Sequence, residues 1–362
     1  MWEVWIHNTR SGSPELQLPN VSSANWTRRL GSLGSGSHQV ELAQARMPKS
    51  LIREIARGNK YTITQRWGAE CAYAGVITNR RFIDASSRLI LNHSELRAAV
   101  LGVRLPHGVN EYNPAAGQRT VTNRSHAGAL RAVLTWATKA GAVPGWELPI
   151  DLPTDGGGGF SAAWREEEGL TTNDLIGQIE ADGAETDLHP YIRSDGYLRY
   201  QAKAAAPVIA TAGAFLLPVR APGSIVLDLE TEDDYAAQMT GVLGFGNGTG
   251  QDRLSKFAPT SGDGIGDLPV RDVRVNFPDI YDPNRLQAAV NAEYAQRRPP
   301  IDQWSFSLFI GGIGPAPAGP GHLLDMHLFG SDFIDDGVHS KRVIALSGDM
   351  GYVVKPEVQP YG

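Results

Sequence analysis

The sequence predicts a β-rich α+β fold, with strands gathered toward both ends of the chain and helices between them. Three observations carry that expectation. The 362 residues include 41 glycines and 23 prolines, a level that suits many short strands joined by tight turns without reaching low complexity. Trp2, Val4 and Ile6 near one end, and Trp304, Phe306, Leu308 and Ile310 near the other, follow the period of two that puts alternate side chains on one face of a strand. Helical periodicity is clear in three segments, all between residues 125 and 298. A chain of this length exceeds what one core usually serves, so two or more compact units are expected.

Taken in order, Tyr61, Ile63, Gln65 and Trp67 repeat the period of Trp2, Val4 and Ile6, with Thr62, Thr64 and Arg66 on the opposite face. Val40 to Ala45, Tyr73 to Ile77 and Leu89 to Asn92 are further strand-like runs, and residues 1–105 read as a small β-barrel or sandwich. Ser125 is placed to cap a helix with Leu130, Val133, Leu134 and Ala137 on one face and Gly141 as its C-terminal glycine. "DLPTDGGGGF" (151–160) then reads as a flexible break. Thr171 with Asp174 approximates a capping box for a helix with Leu175, Ile176 and Ile179 as its apolar face, and "SDGYLRYQ" turns out of it into a strand. Strands return at Ile225 to Leu229 and Val270 to Phe277. Asp282 and Pro283 start a helix lined by Leu286, Ala289, Val290 and Tyr294 and stopped by Pro299 and Pro300. "HLLDMHLF", "KRVIALSG" and "GYVVKPEV" close the chain as strands, so the two ends could be two related barrels.

The most suggestive motif is "GVLGFGNGTGQDRLSKF" (241–257), with Gly244, Gly246, Gly248 and Gly250 at every second position. A dinucleotide loop needs G-x-G-x-x-G so that backbone can approach a pyrophosphate at a helix start; counted from Gly244 the third glycine position holds Thr249, and from Gly246 it holds Gln251. No Gly-Lys-Ser/Thr follows, so the Walker loop fails too, and the stretch reads as a flexible hairpin tip. The acidic groups Glu166 to Glu168, Glu230 with Glu232 to Asp234, and Asp332 with Asp335 and Asp336 read as solvated turns, and no EF-hand loop is present. His322, His327 and His339 lack the spacing of a helical metal motif, and no G-x-S-x-G elbow occurs. Trp2, Trp67 and Trp304 are in phase with strand cores, whereas Trp136, Trp146 and Trp164 are less determined. Cys71, the single cysteine, reads as a small buried thiol, which excludes a disulfide framework. A net charge of -6 with dispersed signs argues against nucleic-acid binding as the main task, and no stretch resembles an export signal or membrane span. No catalytic, cofactor or metal residue is assigned from these patterns.

The arrangement as a whole is similar to a known family. "WEVWIHNTRSGSPELQLPNVSSANWTRRLGSLGSGSHQVEL", "YTITQRWGAECAYAGVITNRRF" and "LILNHSELRAAVLGVR" resemble the N-terminal barrel of minor tail proteins from long-tailed actinobacterial, mycobacteriophage-like phages. "LTTNDLIGQIEADGAETDLHPYIRSDGYLRYQ" looks like their helix and strand pair around Asp-Gly, and "HLFGSDFIDDGVHSKRVIALSGDMGYVVKPEV" like their second barrel.

This resemblance covers essentially the full chain through loose patterns. It implies the baseplate or tail-tip hub fold, related to the hub of contractile-tailed phages: two small β-barrels with inserted α/β lobes. It divides the chain into a barrel over 1–105, an inserted α/β lobe over 106–210, a second lobe with the glycine-rich hairpin and helix over 211–300, and strands completing the second barrel over 301–362. It further implies a structural, non-enzymatic virion protein without cofactor, located at the tail tip and assembled in the host cytoplasm. Its partners would be two further copies in a homotrimeric ring, tail tube and distal tail proteins, the tape measure C-terminus and other tip proteins. DNA would pass through the ring during ejection without specific binding. With Gly362 just past the apparent second barrel, cell-wall cleavage by this chain is not expected. Two rivals stay open: a receptor- or carbohydrate-binding tail protein using Trp146 and Trp164, and a wall hydrolase using the acids from Glu230 to Asp234.

Overall fold

The computed structural model describes residues 1–106, 118–139, 144–209, 214–259, 269–278, 280–298 and 301–361. Two compact units emerge: Met1–Asp228 with Phe306–Gly362, and Leu229–Ser305.

The N-terminal part of the first unit runs β1 (Trp2–Asn8), β2 (Pro14–Gln17), β3 (Val21–Arg29), β4 (Ser35–Glu41), α1 (Leu42–Ala45), α2 (Lys49–Ile55), β5 (Tyr61–Trp67), β6 (Glu70–Ile83) and β7 (Arg88–Ser94). The run from Val40 to Ala45 is therefore not one strand. It leaves the sheet at Glu41, and Leu42–Ala45, alanine-rich and without a β-branched residue, coils into a helical turn closed by Arg46 at φ 48°. Val4, Ile6, Val40, Ile63, Ile77 and Leu91 fill the core below these strands, as the alternation predicts. The opposite face is buried as well: Thr62, Thr64 and Arg66 are covered, because the next section of chain packs over the sheet.

That section contains β8 (Gln118–Arg124), α3 (His126–Thr138), β9 (Ile150–Asp151), β10 (Phe160–Arg165), α4 (Thr172–Ala181), β11 (Glu185–Ile192) and β12 (Leu198–Ala205). Ser125 caps α3 by accepting from the Gly128 amide, and Thr171 and Asp174 form a reciprocal capping box at α4. Lys139, at φ 54°, closes α3; Gly141, expected in that role, lies outside the described residues. The apolar faces of α3 and α4 join Val76, Leu96 and Leu101 in one core, where each buried Leu, Ile or Val contributes about 1.5–3 kcal/mol. Within the glycine run 156–159, read from the sequence as a flexible break, Gly156 and Gly158 lie against the start of α3, while a Cβ at Gly159 would meet nothing within 4 Å. A Cβ at Gly158 would sit 2.7 Å from Ser125 Cα, and the Gly156 carbonyl accepts from the Ser125 amide.

The remaining strands are β13 (Ala214–Pro218), β14 (Val226–Asp234), β15 (Gly241–Phe245), β16 (Ser255–Ala258), β17 (Asp272–Asn276), then α5 (Pro283–Arg297), β18 (Ile301–Phe309), β19 (Leu323–Leu328), β20 (Gly337–Gly348) and β21 (Val353–Pro360). Separate closed barrels at the two ends are not what the pairing gives. The order is β14-β18-β21-β20-β3-β4-β7-β6-β5-β1-β2, with β19 and β13 branching from β20, and no closed path occurs among the described residues. The reason is local: the free edge of β3 pairs antiparallel with β20, from Arg29 opposite Ala345 to Trp26 opposite Gly348, so both strand-rich ends share one sheet.

In the second unit β15 and β16 form the expected hairpin, β17 lies parallel beside β15, and α5 packs on them through Leu286 and Val290. Asp282 caps α5 through the amides of Asn284 and Arg285, with Pro283 in the first turn; Pro299 and Pro300 lie outside the described residues. The glycines divide by role. Gly244 lies under the helix, where a Cβ would come 2.1 Å from Val290 Cγ2, while Gly248 and Gly250 supply the positive φ of the turn (110° and 61°). Among the described residues no helix is long and apolar enough to cross a membrane.

Candidate functional site

Glu167 pairs with Arg165, Glu168 accepts from the Arg165 amide, and the acids from Glu230 to Asp234 lie along the edge strand β14. Asp332, Asp335 and Asp336 sit in the turn between β19 and β20, where Asp336 accepts from the Gly330 amide at 2.7 Å. His322 is half-buried, donates to the Gly319 carbonyl at 2.9 Å and is held below its ordinary value chiefly by burial. His327 is a half-buried residue of β19, and His339 Nε2 donates to the Asp335 carbonyl at 2.8 Å. Among the described residues no three His, Cys, Asp or Glu side chains converge on a possible metal position. Cys71 is buried, its thiol pushed up to about 12 by burial, so it holds no reactive thiolate.

The tryptophans are equally informative. Trp164 is only 3% exposed, packs edge-on against Trp136 at 5.9 Å and donates its indole N–H to Gln178, so it is a core residue and cannot stack a sugar. Trp146 is half-buried beneath two cations, Arg104 at 5.6 Å and Lys139 at 5.1 Å. Trp2, Trp26 and Trp67 form a cluster, extended by Tyr352, that ties the first strand to the last turn; Trp2 also donates to the Gly351 carbonyl.

The chemistry-bearing groups that do meet are buried or half-buried, and they fasten the α/β section to the sheet. Arg28 of β3 reaches Asp187 of β11 at 3.0 Å, with side chains 3% and 5% exposed, and approaches His189 Nδ1 at 2.8 Å. Ser32 donates to Asp187 and accepts from the Leu188 amide. Arg97, just after β7, forks onto both Glu180 oxygens at 2.5 and 2.8 Å and also binds Asn173, Thr186 and the Gly31 carbonyl. Arg342 of β20 forks onto Glu185 and binds the Ile209 carbonyl. Three arginines from the sheet side thus each grip a carboxylate of the α/β section; Arg97 and Arg342 do so with the planar, bidentate geometry that suits Arg rather than Lys, and Arg28 through a single nitrogen.

Around this clasp the titration behaviour is set by burial. Glu95 accepts from the amides of Gly34 and Arg29 and is pushed up to about 8 by desolvation, against the pull of Arg28. His38 is hydrogen-bonded to His93, Nδ1 to Nε2 at 2.8 Å with the rings tilted, while His93 Nδ1 meets the Tyr73 hydroxyl and His38 Nε2 meets Gln65. Burial holds His38 down to about 4 and His93 to about 2, so both are neutral at pH 7. These groups have perturbed titration but face protein on all sides, which is the signature of a rigid polar interior rather than of an open catalytic cleft. None of them was singled out in the sequence. Their partners lie more than a hundred residues away for Arg28 and Arg342, and no local spacing marks such a pair.

No protein-family model matches the sequence, and no curated protein does. The fold, by contrast, has clear counterparts among solved structures. The tail protein from Neisseria meningitidis MC58 is similar over 100% of this chain and 97% of its own, at TM-score 0.60 and 13% identity. The 43 kDa tail protein of prophage MuSo2 from Shewanella oneidensis is similar over 99% and 98%, at TM-score 0.60 and 12% identity. A component of the type VI secretion system of E. coli, itself described as similar to T4 bacteriophage tail proteins gp27 and gp5, covers 96% of this chain and 75% of its own at TM-score 0.53 and 10% identity. At these identities what is shared is the fold: a β-rich fold with few helices, similar to phage tail proteins.

Proposed function

We propose that this chain is a structural virion protein, the hub at the tail tip or baseplate of a long-tailed phage. In this reading three copies form a ring that joins the tail tube and distal tail protein to the tip and surrounds the channel through which DNA leaves. The observation that carries it is the likeness to two tail proteins that runs nearly end to end in both directions. The sequence resemblance, reached from independent features, supplies the hub assignment and the actinobacterial host.

Physical features support a scaffolding role. An interior fixed by three buried arginines, each gripping a carboxylate, resists the domain opening that catalytic lids require. The net charge of -6 disfavours adhesion of DNA to a surrounding wall, since like charges repel. In the ring, 1–105 and 301–362 act as two barrel-like halves and 106–210 and 211–300 as inserted lobes, so that three copies match the sixfold tube above to threefold parts below. Partners are then the tube and distal tail proteins, the tape measure C-terminus and other tip proteins, in a virion assembled in the host cytoplasm. The reading assigns no enzymatic activity and no cofactor. Mass measurement of the purified chain combined with negative-stain imaging tests it: the expected particle is three chains around a central hole, and a compact particle without a hole contradicts it.

A further inference from the structure

Two exposed features of the first unit complement each other. The turn between β19 and β20 carries Phe329 and Phe333, 61% and 82% exposed, among the exposed acids Asp332, Asp335 and Asp336. This tip is built rather than loose: the Gly330 amide donates to Asp336, the Ile334 amide to Ser331 Oγ at 3.0 Å, and Arg220 holds the Gly330 carbonyl. A preformed aromatic knob loses little conformational freedom on docking. The second feature is a groove of about 650 Å³ beside α2. Its apolar lining includes Met47, Ile52, Phe82 and Leu89, and its rim bears Lys49, Arg53 and Arg80 against a single acid, Asp84.

One chain cannot bring its own tip to its own groove. Arg29 of β3 lies opposite Ala345, eight residues from the tip-side end of β20 at Gly337, whereas the groove lies at the other end of β3, at the level where Val21, Val40, Leu89 and Phe82 are aligned across neighbouring strands. At about 3.3 Å per residue the sixteen residues between them put the two features roughly 50 Å apart along the strands. Complementary surfaces at opposite ends of one unit make a heterologous contact, which closes a ring or propagates a stack.

We infer that the acidic aromatic tip of one copy seats in the basic apolar groove of the next, with Phe333 on the apolar floor and Asp332, Asp335 and Asp336 facing Lys49, Arg53 and Arg80. The occupant of the groove is a second copy of this chain because the charge it needs and the apolar anchor it needs occur together on this tip. The inference rests on the self-assembling hub reading and specifies a seam within it.

Self-association of the full chain is measured by light scattering over a concentration series. Phe333→Asp, a change at a largely solvent-exposed side chain that leaves the circular dichroism spectrum intact, weakens association at least tenfold. Asp332→Lys with Asp335→Lys weakens it similarly, and adding Lys49→Glu with Arg53→Glu restores it. Since Cys71 is the single cysteine and is buried, Phe333→Cys combined with Ala43→Cys on the groove lining gives a disulfide-linked ladder of chains on oxidation, while Phe333→Cys with the distant Leu33→Cys does not. An oligomer that withstands Phe333→Asp and gives no ladder overturns the seam and leaves the hub reading standing. A wild-type chain that stays monomeric at every concentration overturns both.

Discussion

The Arg28 to Asp187 grip gives the sharpest energetic prediction. Arg28→Met keeps the aliphatic bulk and removes the guanidinium, leaving Asp187 buried with the Ser32 hydroxyl as its remaining hydrogen-bond donor among the described residues. Breaking a buried pair by removing one partner costs about 3–5 kcal/mol, because a charge stays behind without compensation. For a body this large that corresponds to a fall in melting temperature of roughly 5–8 °C. Removing both partners is different: in Arg28→Met with Asp187→Leu no charge is stranded, and Ser32 keeps the Leu188 carbonyl at 3.3 Å as acceptor. The double variant is therefore expected to recover about 2 kcal/mol relative to the sum of the single ones. Denaturant unfolding followed by tryptophan fluorescence measures all three. A single variant within about 1 kcal/mol of wild type, or strict additivity in the double, refutes the clasp.

Gly244→Ala forces a methyl against Val290 and costs about 1–3 kcal/mol of stability in the second unit, read by amide hydrogen exchange along α5; unaltered exchange contradicts the close packing. Asp282→Ala removes the cap that accepts from two amides and destabilises α5 by about 1 kcal/mol, seen in the same experiment. His38 is held down to about 4, so the unfolded chain, with histidines near 6.5, takes up that proton first as pH falls; its stabilisation is complete above about 6.5 and drains toward 4 by up to about 3 kcal/mol. His38→Asn should flatten that acid limb of a melting-temperature profile, and an unchanged slope counts against the neutral pair. Glu95, pushed up to about 8, acts in the opposite sense: the unfolded carboxyl ionises near 4.5 while the folded one keeps its proton, so stability drains as pH rises toward 8. Glu95→Gln should remove that alkaline loss.

Local signals were legible where the physics is local. Ser125, the Thr171 and Asp174 box, and Asp282 with Pro283 are contacts within three residues, and each marks a real helix start. The hairpin around Gly248 and Gly250 was legible for the same reason. Long-range arrangements left no such trace. Nothing in "VTNRS" or "DGGGGF" tells that the glycines pack against the start of α3, and nothing in the alternation of Tyr61 to Trp67 tells that a second layer buries Thr62 and Arg66. Likewise β3 shows no preference in sequence for β20 as its neighbour, so the single shared sheet in place of two closed barrels could be learned only from the assembled fold. The tryptophans show both sides: Trp2 and Trp304 were placed correctly by strand phase, whereas Trp164 needed its neighbour Trp136 to be recognised as core.

The hub reading places this chain at one position in a phage particle, and immunogold electron microscopy of virions purified from a lysate in which the chain is expressed addresses that directly. The hub reading predicts gold confined to the distal tip of the tail, on the tail axis. Gold on the capsid, along the tube or on lateral fibres, or particles that carry no label, would contradict it.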